Sequence, residues 1–401
     1  MNILRIFVFI ILFPTSIFSQ VLTDLISLDT IINTHILASQ NYQMPLPVCL
    51  SNNNLLFYVP PDRETDSLKI RYYNLTTKAI IIKQIIIPDL TYKVDDPQVS
   101  SFAIEDNSLI LHFKSGSLAY FHEMDSTFSL AWMIPFKLPI HNAGFQQHHL
   151  LLTNAENYLY GDPKEMASAI LCNFDPRSIA IKEIKKLEIK NIEFSSFPQS
   201  KWIDFTNHYT GISQTTDYKI DIYDSDFNKN STIERNIPGW HHFSDSVMFS
   251  LRKQIPRKYL GVLLDSLKKS NELCSRVEGI NFVNDSILVV RYIIGGRENI
   301  VARKYDIWKK NSLGWYLSWH DLLDRKVDSS IVCTKTNYPL FGAFTSYAIT
   351  SDFKHLVGIR VNPPPFHFNY PYQESYRNID NYFRTHPPEY FIYQYSINEK
   401  K

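Results

Sequence analysis

An all-β fold class is predicted by three observations. The residue choice favours strand: the 401-residue chain carries 24 Tyr, 26 Phe and abundant Ile and Thr, while helix-favouring Ala is scarce. A short unit then recurs along the chain, made of an apolar residue, four mostly polar turn residues and an apolar run. Each unit is followed by an alternating strand with aromatic and charged residues, a turn and one more strand.

The first segment reads as an address. Ile6 to Phe13 form an apolar run behind Arg5, Pro14 breaks it, and Thr15, Ser16 and Ser19 turn it polar. Residues 1–19 are therefore expected to be a secretory signal peptide, cut between Ser19 and Gln20. The apolar run is about half the ~20 residues a spanning helix needs, so no transmembrane anchor is expected after cleavage. The first cysteine is Cys49, so no Cys stands at the cut for a lipid anchor.

Cleavage alters the charge. The whole chain has 41 Lys+Arg against 40 Asp+Glu, a formal net charge of +1, and the leader takes Arg5 with it. The remaining chain is formally neutral. It has no global field to gather phosphate, which argues against a nucleic-acid partner. Its 44% hydrophobic content excludes a disordered chain.

The units follow in order. Leu50-Ser51-Asn52-Asn53-Asn54 leads into Leu55 to Val59, and Ile104-Glu105-Asp106-Asn107-Ser108 into Leu109 to Leu111. Phe145 to His149 leads into Leu150 to Leu152, and Phe205 to Tyr209 into Thr210 to Ile212. Phe282 to Ser286 leads into Ile287 to Val290, and Ile349 to His355 into Leu356 to Ile359. Asn, Asp and Ser tolerate turn geometry and bond their own backbone, so each unit predicts a tight hairpin. The apolar run predicts a strand buried on both faces. Alternating strands come next, such as Leu68 to Asn74, Lys219 to Asp224 and Ile300 to Asp306. Fourth strands are expected at Ala79 to Ile87, Thr232 to Ile237 and Trp315 to Trp319.

Six units of about four strands predict a six-bladed β-propeller occupying residues 20–401 as a single domain. A closed ring would pair the terminal strand Gln394-Tyr395-Ser396-Ile397 with an early strand near Leu28 to Leu37 in a shared blade, and the sequence leaves open which strand closes it. Two β-sandwich domains would instead need a linker near the middle, and no Gly/Ser- or Pro-rich stretch lies there. Two insertions interrupt the period. Within 244–274, Tyr259, Leu260, Leu263, Leu264 and Leu267 share one face of a peripheral amphipathic helix that Pro256 can open. The segment 362–388 is bounded by Pro363-Pro364-Pro365 and Pro387-Pro388, and holds seven aromatic residues.

The signal peptide, the six turn units and the helix from Ile255-Pro256-Arg257-Lys258-Tyr259 to Leu267-Lys268-Lys269-Ser270-Asn271 together resemble a known group. They are similar to the uncharacterised secreted six-bladed, NHL-like β-propeller proteins of bacteria, a domain family of unknown function. The resemblance implies a fold and an exported address, periplasmic or extracellular. It implies no catalytic residues.

Chemistry-bearing patterns are sparse. There is no GxSxG elbow, P-loop or GxGxxG. His122-Glu123 begins like HExxH, but Ser126 stands where the second His should be. Asp224 to Asn230 alternates oxygen side chains like a calcium loop, yet position 6 is Lys229 and position 12 is Arg235, so a hairpin turn is expected. Cys49, Cys172, Cys274 and Cys333 form no CxxC pair, so no zinc site is expected, and no cofactor is implied. Arg291, Arg297 and Arg303 flank Gly295-Gly296 and are expected on a solvated hairpin.

The ligand-binding candidates are Trp240, His241 and His242 in Pro238-Gly239-Trp240-His241-His242-Phe243, and Arg360, His367, Tyr370 and Tyr372 on and before the aromatic insertion. His148-His149 is an ordinary turn pair by position. The expected function is an exported, non-catalytic binding or scaffold module for a protein or glycan partner. The alternative is a propeller lyase or hydrolase using His and Arg, or a metal, at the mouth of the central channel. No sequence pattern specifies an oligomeric state.

Overall fold

The computed structural model of the chain describes residues 26–37, 48–51, 53–59, 68–86, 99–105, 108–113, 117–124, 126–135, 142–146, 149–153, 167–175, 180–189, 203–206, 208–213, 217–242, 275–295, 302–323, 346–361, 385 and 389–398. These residues are nearly all strand. Among them, no helix is long and apolar enough to cross a membrane. The expected helix of 244–274 and nearly all of 362–388 lie outside the described residues.

Strand β1 (Ile26–Leu37) comes first in the chain and is used last in the fold. The meander β2 (Val48–Ser51), β3 (Asn54–Tyr58), β4 (Leu68–Asn74), β5 (Ile80–Ile86) follows. A second is β6 (Val99–Glu105), β7 (Ser108–Phe113), β8 (Ser117–Glu123), β9 (Thr127–Pro135). Their outer strands β5 and β9 pair in parallel, Gln84 against Thr127 to Ile86 against Ser129, which merges the two into one eight-stranded sheet. Lys83 bridges the seam by an ion pair to Glu123 and lies over the Tyr72 and Phe128 rings.

Three more antiparallel meanders stand alone: β10 (Asn142–Gln146), β11 (His149–Thr153), β12 (Ala167–Asp175), β13 (Ala180–Ile189); β14 (Ile203–Phe205), β15 (Tyr209–Ser213), β16 (Lys219–Asp224), β17 (Lys229–Glu234); and β18 (Arg276–Asn284), β19 (Ile287–Ile294), β20 (Ala302–Asn311), β21 (Gly314–Leu323). The last sheet takes β22 (Ser346–Ile349), β23 (His355–Val361) and β24 (Glu389–Ile397), and completes itself with β1, Ile26 against Ile397 to Leu37 against Glu389.

The turn units nucleate the first two strands of every meander. The leading apolar residue pairs with the start of its run: Leu50 with Leu55, Ile104 with Leu109, Phe145 with Leu150, Phe205 with Thr210 and Ile349 with Leu356. A bulge in β18 shifts the equivalent pair to Phe282 and Leu288. Turn chemistry is local. Asn53 adopts φ +63°, a region Asn tolerates. Asn74 Oδ1 accepts from the Thr76 and Thr77 amides, and Asp224 Oδ1 from the Asp226 and Asn228 amides. The latter segment is therefore the hairpin turn between β16 and β17 that its failed calcium pattern implied.

Second strands are largely buried, as Leu55 to Tyr58 and Leu109 to Phe113 show. The core is accordingly divided into apolar layers between facing sheets. Leu55, Phe57, Val357, Ile359 and Ile392 join the last sheet to the first. Ile220, Ile222, Val277, Ile280 and Leu288 join β14–β17 to β18–β21. Tyr305, Ile307, Ile349 and Leu356 join β18–β21 to the last sheet. The first strands lie side by side, β22 beside β2, β2 beside β6, β6 beside β10, and β14 beside β18. Small antiparallel sheets packed face to face around neighbouring first strands make the architecture propeller-like.

Within each meander the geometry sorts the connections. An antiparallel sheet puts its 1–2 and 3–4 turns at one end, and its 2–3 connection, entry and exit at the other. At the first end, no connection is longer than 75–79 or 350–354. At the second end lie 59–67, 87–98, 154–166, 190–202, 235–275, 324–345 and 362–388.

Candidate functional site

Where β17 leaves its sheet, Arg235 reaches across to the next one. Its Nη1 donates to both carboxylate oxygens of Asp306, at 2.9 and 2.8 Å, and its Nη2 donates to Asp321. Asp306 is on β20 and its side chain is fully buried. A buried carboxylate is costly unless a cation and hydrogen bonds face it, and here both do. Tyr292, on β19, donates to Asp321 Oδ1 at 2.8 Å and lies 3.4 Å from Asp306 Oδ1. Lys304 Nζ adds a third cationic contact, 3.1 Å from Asp321 Oδ1.

A bulge makes this convergence possible. Tyr305 pairs with Leu322 and Ile307 with Trp319, so Asp306 faces two residues of β21, His320 and Asp321. Asp321 sits at φ +54°, and its amide donates to Asp306 Oδ1 at 2.9 Å. A left-handed conformation costs a non-glycine residue on the order of 1–2 kcal/mol. The bulge spends that strain on turning the Asp321 carboxylate toward Arg235 and His320, the latter at 3.0 Å.

The two carboxylates are pushed apart electrostatically. Burial raises the Asp306 carboxyl above its ordinary value despite Tyr218 and Arg235. Burial would also raise Asp321, but hydrogen bonds from Arg235, Tyr292, His320 and Lys304 outweigh it and hold that carboxyl well below the usual range. Each oxygen of Asp306 meets Arg235, and the cluster ties two adjacent sheets together at their loop-bearing end.

Trp240 lies against this cluster. Gly239 takes φ +79°, and the Trp240 amide donates to Ile237 O at 3.1 Å, which closes a turn. The indole packs edge-on to Tyr218 and tilted on Tyr292, each with centroids 6.1 Å apart. Tyr218 is fixed in turn by the Trp308 indole N–H, at 2.9 Å. Trp240 stays partly exposed. His241 N donates to Ser275 Oγ, and Ser275 N donates to His241 O, at 2.8 and 2.7 Å. Gly295 N also donates to Ser275 Oγ. His242 Nε2 stands 3.9 Å from Asp217 Oδ1, and both side chains are 58% exposed.

Of the sequence-derived candidates, Trp240, His241 and His242 thus share one corner. Arg360 lies on β23 opposite Phe391, while His367, Tyr370 and Tyr372 lie outside the described residues. One expectation is corrected. Arg291 is not on a solvated surface: its side chain is 14% exposed and its Nε lies 3.6 Å from Glu278, because its face of β19 also carries buried Val289. Arg235, Asp306, Asp321, Tyr292 and Lys304 carry no motif. The signal available was Asp306 itself, a carboxylate between Tyr305 and Ile307 in a strand bound for the core, which demands a cation from elsewhere. Among the described residues, no group of three or more His, Cys, Asp and Glu could hold a metal ion.

No family model matches the chain, and no curated protein matches it. Solved structures do. A Bacteroides fragilis protein, described as exported by name alone, superposes with TM-score 0.50 at 12% identity, over 94% of this chain and 96% of that one. Another Bacteroides fragilis structure, carrying the name of a 6-phosphogluconolactonase, gives TM-score 0.43 at 9% identity over 78% and 76%. The WD40 domain of Toxoplasma gondii coronin gives 0.40 at 7% over 84% and 72%. At these identities the likeness to the first extends to fold and no further.

Proposed function

We propose that the chain is an exported six-bladed β-propeller, a single domain over 20–401, that acts as a non-catalytic binding or scaffold module for a protein or glycan partner. The observation that carries this reading is the sorting of connections. All the long ones, both insertions included, leave their sheets at one end, while compact turns fill the other. Binding residues concentrate on loops held by a rigid scaffold. Parallel pairing of β5 with β9 gives the first two meanders the same orientation, and carrying that orientation around the ring makes one loop-bearing face. The leader expected at 1–19 and the resemblance to secreted NHL-like propellers support an address outside the cytoplasm, periplasmic or extracellular. Formal neutrality favours recognition by shape and stacking over charge.

The test is a screen of the purified mature chain against glycan, peptide and envelope-protein libraries. Retention of a partner, weakened by substitutions at the loop-bearing end and untouched by substitutions in the 285–286 or 312–313 turns, is the expected result. Silence in all three libraries would sink the reading. Metal analysis of the same preparation separates it from the enzyme alternative, which requires a bound ion or turnover.

A further inference from the structure

We infer that Trp240, flanked by Asp217 and His242, is a stacking shelf for an uncharged saccharide ring. The inference rests on the binding-module reading and names its ligand class. Trp240 follows β17 and Asp217 precedes β16, so both stand at the loop-bearing end of one meander. Tyr218, next to Asp217 in sequence, packs on the Trp240 ring, and His242, two residues past Trp240, stands 3.9 Å from Asp217.

Three features match a sugar. The indole packs against Tyr218 and Tyr292 and stays partly exposed. An apolar C–H face of a pyranose would cover that surface, since aromatic planes bury such area well. The His242–Asp217 separation of 3.9 Å is too long for a hydrogen bond. A hydroxyl between them can donate to the carboxylate and accept from the imidazole, which a hydrocarbon side chain cannot do. Both groups are more than half exposed, so a ligand hydroxyl can reach them from solvent.

A rigid support makes the shelf effective. Ordering a loop on binding costs affinity, and this loop is already held. Gly239 sets the turn, Ser275 grips His241 through two hydrogen bonds, and the Arg235 cluster fixes Tyr292 beneath the indole. Nothing about the shelf calls for a charged sugar, because Asp217 would repel an acidic one.

The experiment uses the full mature chain on a printed array of neutral and acidic oligosaccharides, alongside Trp240→Ala, Trp240→Phe and Asp217→Asn, each checked for unchanged circular dichroism and unfolding midpoint. Retention of neutral glycans is expected, weakened at least tenfold by Trp240→Ala, less by Trp240→Phe, and several-fold by Asp217→Asn. Glycan retention unaffected by Trp240→Ala would overturn the shelf while leaving the binding-module reading intact. An empty array would also overturn it; capture of a peptide or envelope protein in the parallel screen would then show that the module reading survives with another partner class. Preference for acidic glycans counts against it as well.

Discussion

Arg235 shows how a single side chain can be structurally decisive. Its contacts lie 71 and 86 residues away, on a neighbouring sheet. Arg235→Met should leave Asp306 buried without its cation and destabilise the fold by about 3–5 kcal/mol, read by urea unfolding. Adding Asp306→Asn to that variant should recover part of the loss. Asp321 sets a pH dependence. Its folded carboxyl is held below the unfolded value, so its stabilisation is complete above the ordinary carboxylate pKa and drains as pH falls through the lower folded value. Unfolding measured down a pH series should therefore lose more stability in the wild type than in Asp321→Asn over that acid window. Gly211 makes a steric point. A Cβ there would stand 2.9 Å from the Phe282 ring across the sheet interface. Gly211→Val should cost about 1–3 kcal/mol by overpacking.

Strand β1 carries the most topological weight of any element. It is the outer strand of a sheet whose other members come from the far end of the chain, and its pairing with β24 runs from Ile26 to Leu37. Side chains reinforce the join: Asn33 donates to Glu389, Thr34 to the Tyr390 carbonyl and Ser396 to Asp29. A chain beginning at residue 38 should lose its cooperative transition and aggregate through the bared β24 edge. Supplying residues 20–37 as a peptide should restore part of the transition, measured by circular dichroism and size-exclusion chromatography. The eight-stranded sheet is the other unusual element. Parallel pairing of β5 with β9 converts two meanders into one continuous surface, and Lys83 locks it from within.

For the whole molecule, the connections divide into a turn end and a loop end. Apolar layers between sheets hold the described strands together, and Val59 and Ile237 from the adjoining connections join those layers. Much of this was legible beforehand. The polar turn units placed the first hairpin of each meander among the described residues, because turn chemistry is local and needs no partner. Which strand completes the last sheet was not fixed by the sequence, and the pairing of β1 with β24 decided it. The Arg235 cluster was hidden: a register bulge in β20–β21 and a left-handed Asp321 are consequences of packing, with no local signature. The solvated placement expected for Arg291 failed for the same reason, as strand alternation alone cannot tell an outer face from one covered by the next sheet.

What the amino-acid sequence determined by itself is therefore whatever depends on neighbours along the chain or on composition alone: strand character, turn positions, the number of turn units and the near-neutral charge balance. Tertiary structure decided which residues meet across sheets. Asp306 found its cation on β17's exit, Trp240 its bracing from Tyr218 and Tyr292, and β1 its partner at the far terminus. The physical reason is that turn and strand preferences are short-range free energies fixed residue by residue. Burial of a charge or an aromatic ring is settled only when distant segments close around it.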